Sequence, residues 1–388
     1  MKRAIYSVLA SGALLAVAHS AAAQGAGTAP AKATAAAPRT PVDLSERLAT
    51  IREKLDVPGI AVVMIDRHGA LARGVTGVRR AGGTTPVTLD DRWHLGSCTK
   101  AMTGTLCALL VNDASTGLRW DSTIEEVFNP KRDEKAKIAN NWRLATLRDL
   151  TTCTANVPGD LGEYGGRPLW KYLWEKASQK LPAQEQRAFL LNELVKSNIS
   201  PPAHGFQYAN ASVALAGHMA ETAAGAPFEQ LIQERLFRPL GITSAGFGAP
   251  GRATADGEPE DQPWGHTSRG DAVAPGLRAD NPDAIAPAGK AYMTIEDWGR
   301  FARLHLIGAE ISLPRPVVFE ADDPEPAWDP AETLGLSPAD FAVLHGQGYD
   351  RNNDYAAGWI VTSRPAWAKG DQPGATGRCL THVGSNTM

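Results

Sequence analysis

Extended apolar runs lie near the two ends of this chain, and helical runs fill the space between them. Ile60 to Ile65 reads as a buried strand, and Asp66-Arg67-His68-Gly69 as a turn in which His68 is a plain turn residue. Ala70 to Val78 reads as the returning strand of that hairpin. Far along the chain, Tyr355 to Thr362 and Arg378 to Val383 read as strands again. A strand pattern split in this way predicts an α+β fold. An antiparallel sheet is built from both chain ends and flanked by helices, and the middle forms an all-helical lobe.

The middle supports that division. Leu44, Leu48, Ile51 and Leu55 follow Asp43 at helical spacing. Ala101, Met102, Thr105, Leu106, Leu109 and Leu110 give a helix with one strongly buried face. Further helices are expected over Ser122–Phe128, Pro182–Ser197, Val213–Ala220, Phe228–Leu236 and Asp297–Leu306, the last capped by Thr294. Ala249–Ala286 is rich in Gly, Pro and Asp and Leu313–Pro330 is Pro-rich and acidic; both read as surface loop, and Gly159–Gly166 as a mobile segment.

Met1-Lys2-Arg3, the apolar run Ala4–Ala18 and the A-x-A site Ala21-Ala22-Ala23 read as a signal peptide over residues 1–23. Residues 24–40 are Ala, Gly, Thr and Pro with little else and read as a flexible linker. The remaining 41–388 form the folded domain. The leader is too short for a membrane span and no later run is long enough, so a periplasmic or secreted protein is expected, with no integral membrane segment after cleavage. A net charge of −3 offers no polyanion-binding surface, which excludes nucleic acid as a partner. Cys98, Cys107, Cys153 and Cys379 have no metal-ligand spacing and no H-E-x-x-H cluster occurs, so neither metal nor cofactor is expected. The cysteines read as small buried hydrophobes.

The chemistry begins at Ser97 and Lys100, where the apolar helix starts. Positions three apart share a helix face, so a hydroxyl and an amine meet across one turn. The serine needs a group to take its proton, and a desolvated lysine can do that. At a helix start the serine's backbone N–H can face an anion. Two other short pieces stand out: Tyr208-x-Asn210, and His382-x-Gly384 followed by Ser385.

Together these motifs resemble the serine β-lactamase and penicillin-binding-protein superfamily. The resemblance is to the branch of class C β-lactamases, D-alanyl carboxypeptidases, D-aminopeptidases and related esterases. Gly205–Asn210, Phe237–Thr243, Pro287–Gly289 and Leu336–Leu344 resemble that branch in the same order, from about Leu44 to Met388. The resemblance implies Ser97 as the nucleophile of an acyl-enzyme, with Lys100 poised beside it. Tyr208 becomes the general base, its phenol pKa lowered by Lys100, and Asn210 bonds Lys100 or the substrate amide. The N–H groups of Ser97 and Ser385 form the oxyanion hole, and Gly384 lets the strand approach the substrate backbone. His382 stands where relatives carry a lysine that binds a substrate carboxylate, and a histidine offers no fixed charge there. Leu150–Thr154 matches a segment in which relatives carry histidine or tyrosine in place of Cys153; if that segment lies near the site, a Cys98–Cys153 disulfide is the alternative to two buried thiols.

In the superfamily two more strands and a C-terminal helix follow the last motif. Here the chain stops four residues after Gly384, so the domain is expected to be C-terminally incomplete, with the strands and helix missing. The hairpin and the Arg378–Val383 strand then share no ladder. The chain as written is expected to be poorly folded and inactive, and a longer form active. The function implied is an exported serine hydrolase acting on an ester, an amide or a D-amino-acid-containing peptide, with a small-molecule or short-peptide substrate. The alternatives are a β-lactamase or D-alanyl carboxypeptidase proper, and a non-catalytic relative that binds peptidoglycan peptides. A Ser-His-Asp hydrolase lacks its G-x-S-x-G elbow here.

Overall fold

A Gly-free run of β-branched and apolar residues, Ile60 to Ile65, followed by Asp66-Arg67-His68-Gly69, makes the tightest local structure of the N-terminal part. In the computed structural model, strands β2 (Gly59–Asp66) and β3 (Gly69–Gly77) pair antiparallel, with β1 (Val42–Asp43) parallel to β3 on the other side. The Asp66 carboxylate accepts from the N–H groups of His68 and Gly69 and closes the turn. The structure describes residues 39–130, 138, 141–159, 161–162, 168–196, 205–255, 258–312, 326, 328–346, 354–364 and 377–385. The expected signal peptide, nearly all of the linker, and parts of the segments 159–166 and 313–330 lie outside them.

Helix α1 (Ser45–Leu55) packs on β3, and β4 (Arg92–His94) leads to α2 (Thr99–Val111). The lobe follows: α3 (Ile124–Phe128), α4 (Leu147–Thr151), α5 (Leu169–Ser178), α6 (Ala183–Leu194), α7 (Asn210–Ala224) and α8 (Phe228–Ile232). Capping boxes at Thr123 with Glu126 and at Thr146 with Asp149 fix where α3 and α4 begin. After β5 (Gly246–Phe247), the small β6 (Gly265–His266) and β7 (Ala272–Val273) pair with each other. Next come α9 (Ala286–Gly289) and β8 (Ala291–Thr294), which lies between β4 and β5. Helix α10 (Ile295–Ser312) packs on β2; α11 (Pro330–Leu334) and α12 (Pro338–Leu344) precede β9 (Ile360–Ser363) and β10 (Arg378–Thr381). Among the described residues no helix is long and apolar enough to cross a membrane.

The fold is α+β, and each chain end supplies an antiparallel pair. Among the described residues the two pairs are not laddered to each other. The middle departs from expectation in three places. Helices α2 and α7 were expected to bury one face, but Thr99–Leu110 and Ala211–Glu221 are buried on every side, as befits central helices of small and apolar residues. The expected surface loop 249–286 ends in a buried stretch: Ala279, Asp280, Ala284, Ile285 and Ala286 are enclosed because Asp283–Ile285 packs on α6 and α7 and Asp280 meets His94 at the end of β4. Helix α5 is absent from the expectations, although Leu169, Leu173 and Ala177 recur at helical spacing and are its buried residues.

Candidate active site

Gly96 to Cys98 forms one tight turn before α2, and this turn is tied to its surroundings at several points. Leu95 N–H donates to Ala291 O at 2.8 Å, the Thr99 hydroxyl donates to Gly96 O at 2.7 Å, and Thr103 donates to Pro287 O at 2.6 Å. Ser97 therefore sits at a helix start whose first turn is pinned to α9 and β8. The segment after β10 crosses in front of it. A methyl group on Gly384 would fall 1.8 Å from Leu95 O and 3.0 Å from Ser97 N, and one on Gly96 would fall 2.5 Å from Ser385 N. Two glycines thus let the backbones of 95–97 and 384–385 interlock. The missing side chain of Gly384 also admits Leu95, a contact that the expectation for this glycine did not include.

Lys100 is fully buried, and its Nζ lies 3.0 Å from Ser97 Oγ, 2.7 Å from Asn210 Oδ1 and 2.7 Å from Ala288 O. Burial lowers its pKa to about 7, with weaker opposing influences from Cys153 and Cys98. Tyr208 lies beside it, with Lys100 Nζ 4.8 Å from the ring centre. Burial pushes the Tyr208 phenol up, and its hydrogen bond with Ser97 opposes that push. The ring is 38% exposed, so solvent softens the effect, but the direction disfavours a phenolate. The expectation that Lys100 lowers the Tyr208 pKa is thus reversed.

The positioning of Tyr208 and Asn210 comes from the end of α4. Gln207 N–H donates to Cys153 O at 2.9 Å, and Ser212 Oγ donates to Leu150 O at 2.8 Å. All four cysteines are unpaired thiols, and Cys98, Cys107 and Cys153 are buried, which agrees with their reading as small buried hydrophobes and not with the alternative of a Cys98–Cys153 disulfide. Each thiol instead donates to a carbonyl on its own side of the site, Cys98 to His382 O at 3.8 Å and Cys153 to Ala209 O at 3.9 Å. Burial pushes the Cys98 thiol up to about 12, so it remains protonated beside Ser97.

His382 closes the opposite wall. Val383 O can only accept, so His382 Nδ1–H donates to it at 2.8 Å, and Nε2 accepts from the Tyr355 hydroxyl at 3.2 Å. Burial, with the Lys100 charge adding to it, lowers the His382 pKa to about 4, leaving a neutral ring at pH 7. Phe206, Tyr208, Tyr355 and His382 form a contiguous aromatic cluster, with ring centres 5.4 to 6.3 Å apart. Between these walls lies a cavity of about 300 Å³, lined by Ser97, Tyr208, Asn210, His382 and Ser385 together with Asn281, Gly289, Ile360 and Val383. Every site residue expected from sequence is therefore at one place: six at the cavity or in contact with Ser97, and Gly384 at the interlock behind it.

Several contributors were not expected. Ala288 O holds Lys100, Tyr355 holds His382, Asn281 lines the cavity, and His94 and Asp280 sit behind Gly96. Among the described residues no group of three or more His, Cys, Asp or Glu could hold a metal.

A family model described as Beta-lactamase matches residues 47–384, most of the chain. The chain belongs to the beta-lactamase family. That family is one of serine hydrolases of the β-lactamase and penicillin-binding-protein type. Among known relatives, the unguisins hydrolase ungD' of Aspergillus campestris is 24% identical over 67% of this chain and 46% of its own length. A beta-lactamase of Escherichia coli is 28% identical over 72% of this chain and 65% of its own. The chain thus spans about half to two thirds of these relatives. The octameric penicillin-binding protein homologue from Pyrococcus abyssi shares the fold, with a TM-score of 0.58 at 18% identity over 88% of this chain and 67% of that one.

Proposed function

We propose that this beta-lactamase family member is an exported serine hydrolase that acts through an acyl-enzyme on Ser97, with Lys100 as the base that takes the serine proton. One observation carries the assignment. Of the three partners of Lys100 Nζ, Ala288 O and Asn210 Oδ1 accept, while the Ser97 hydroxyl can also donate. A neutral amine has two N–H bonds and one lone pair. With the hydrogens given to Ala288 and Asn210, the lone pair is left facing Ser97. Burial supplies the neutral amine near pH 7.

The reaction then runs in balanced steps. Ser97 Oγ bonds to the acyl carbon as its proton passes to Lys100. The N–H groups of Ser97 and Ser385 receive the oxyanion. Tyr208, kept as a neutral phenol, is placed to give its proton to the leaving alcohol or amine and to regain one from Lys100. Water attack on the ester repeats the sequence in reverse and releases the acid.

Substrate choice follows from His382. Its ring is neutral and both nitrogens are engaged within the protein, and among the described cavity-lining residues none carries a fixed positive charge. Esters, amides and D-amino-acid peptides without a free carboxylate beside the scissile bond fit this wall better than penicillins or peptides ending in a carboxylate. An unguisins hydrolase and a beta-lactamase among the relatives agree with acyl hydrolysis in general.

Trapping tests the assignment. Incubation with a fluorophosphonate and then with an aryl ester is expected to add one label to the chain, mapped by mass spectrometry to the peptide holding Ser97. Ser97→Ala should take no label. Folded wild-type chain that takes no label would favour a binding protein over an enzyme.

A further inference from the structure

His94 and Asp280 lie outside the catalytic group, yet they meet the backbone on which Ser97 hangs. Gly96 N–H donates to His94 Nδ1 at 3.0 Å, so that nitrogen carries no hydrogen; Nε2 carries it and faces Asp280 Oδ2 at 3.0 Å. Asp280 is enclosed, with 2% of its side chain exposed, and its other oxygen accepts from Asn281 N–H at 2.6 Å. Asn281 lines the cavity. One carboxylate therefore touches both the ring behind Gly96 and the backbone of a residue in the cavity wall.

Gly96 has φ of 50°, in the left-handed region, and it has no side chain to restrict its rotation. Its two flanking peptide planes are held separately. The plane before it is held by the bond to His94 and by Cys98 N–H on Leu95 O at 3.2 Å, and the plane after it by the Thr99 hydroxyl on Gly96 O at 2.7 Å. That second plane contains Ser97 N–H. Without the bond to His94 the first plane keeps only the Cys98 contact and can tilt, and the Gly96 dihedrals pass that tilt on to the direction of Ser97 N–H within the space the interlock leaves.

We infer that His94, held in one tautomer by Asp280, is a positioning residue that aims the Ser97 backbone N–H at the oxyanion of the reaction. The inference rests on the serine hydrolase reading above. It assigns work to a histidine and an aspartate that do not line the cavity. The carboxylate fixes the ring, the ring fixes Gly96, and Gly96 fixes the donor. Donors at such a position are valuable only when aimed at the charge that develops.

The rate of fluorophosphonate labelling, measured against reagent concentration on the full chain, separates binding from bond formation. His94→Asn keeps an acceptor near the place of Nδ1 and loses Asp280. His94→Gln keeps a donor toward Asp280 and loses the acceptor. The Gln variant is expected to lower the limiting rate about tenfold or more with the half-saturating concentration unchanged, and the Asn variant to stay nearer wild type. A Gln variant as fast as wild type, or an Asn variant as slow as Gln, overturns the inference. If circular dichroism shows the Gln variant unfolded, Asp280→Asn replaces it. With its oxygen kept on Asn281 N–H, its amide faces Nε2 and favours the tautomer that cannot accept from Gly96. A lowered limiting rate is then expected, and an unchanged one overturns the inference. Unlabelled wild type defeats the hydrolase reading and this inference with it, whereas labelled wild type with indifferent variants defeats only the inference.

Discussion

At the scale of single residues, the site is governed by what burial does to charge. Lys100 can sit fully enclosed because two carbonyl-type acceptors and one hydroxyl surround its nitrogen. The same burial holds His382 neutral, with a pKa of about 4. Replacing that ring by a lysine restores a charge at the cavity wall. His382→Lys is expected to raise kcat/KM for a D-Ala-D-Ala peptide relative to its methyl ester by about tenfold, the equivalent of roughly 1.4 kcal/mol. Paired hydrolysis assays on the acid and the ester measure this ratio, and an unchanged ratio would show that carboxylate recognition lies elsewhere. Burial of Lys100 also affects stability. Between about 7 and the usual 10.5 the unfolded chain holds a proton that the folded chain lacks, so this group makes the fold more stable as pH rises through that window.

At the scale of elements, the site depends on how α6, α7 and the 279–290 segment are joined. Arg187 on α6 is fully enclosed. It makes paired hydrogen bonds to Glu221 on α7 and to Glu229 on α8, and it donates to Asp283 O at 3.2 Å. Its removal leaves the enclosed Glu221 carboxylate with only His218 and the Phe228 N–H. Arg187→Ala is expected to destabilise the fold by about 3–5 kcal/mol, measured by urea denaturation, while Arg187→Lys recovers part of the loss. A change below about 1 kcal/mol would show that this joint is dispensable. Little of the joint could be read from sequence. Periodicity placed α6 and α7, but the pairing of Arg187 with Glu221 depends on the angle at which the helices meet, and composition holds no record of it. The segment 279–286 was misread for a related reason. Its Asp, Asn and Pro content is that of a loop, and only the tertiary fold shows a loop running through the interior.

At the scale of the whole molecule, the sequence motifs were legible because the chemistry limits which residues can serve. Ser97, Lys100, Tyr208, Asn210, His382 and Ser385 come from three separate parts of the chain and gather around one cavity. The supporting groups were illegible. Ala288 acts through its backbone, so its side chain carries no signal, and His94, Asp280 and Tyr355 become meaningful only through contacts 186 and 27 positions apart in the chain. The direction of each pKa was also beyond the motif, because it depends on enclosure. The most direct test of the central claim uses this last point. The rate of acylation of Ser97 by an uncharged aryl ester, followed in a single turnover from pH 5 to 10, should rise through one ionisation near 7 and then level off, as Lys100 gives up its proton. A rate still climbing toward pH 10 would assign the base to Tyr208, and a rate indifferent to pH would contradict a titrating base at this site.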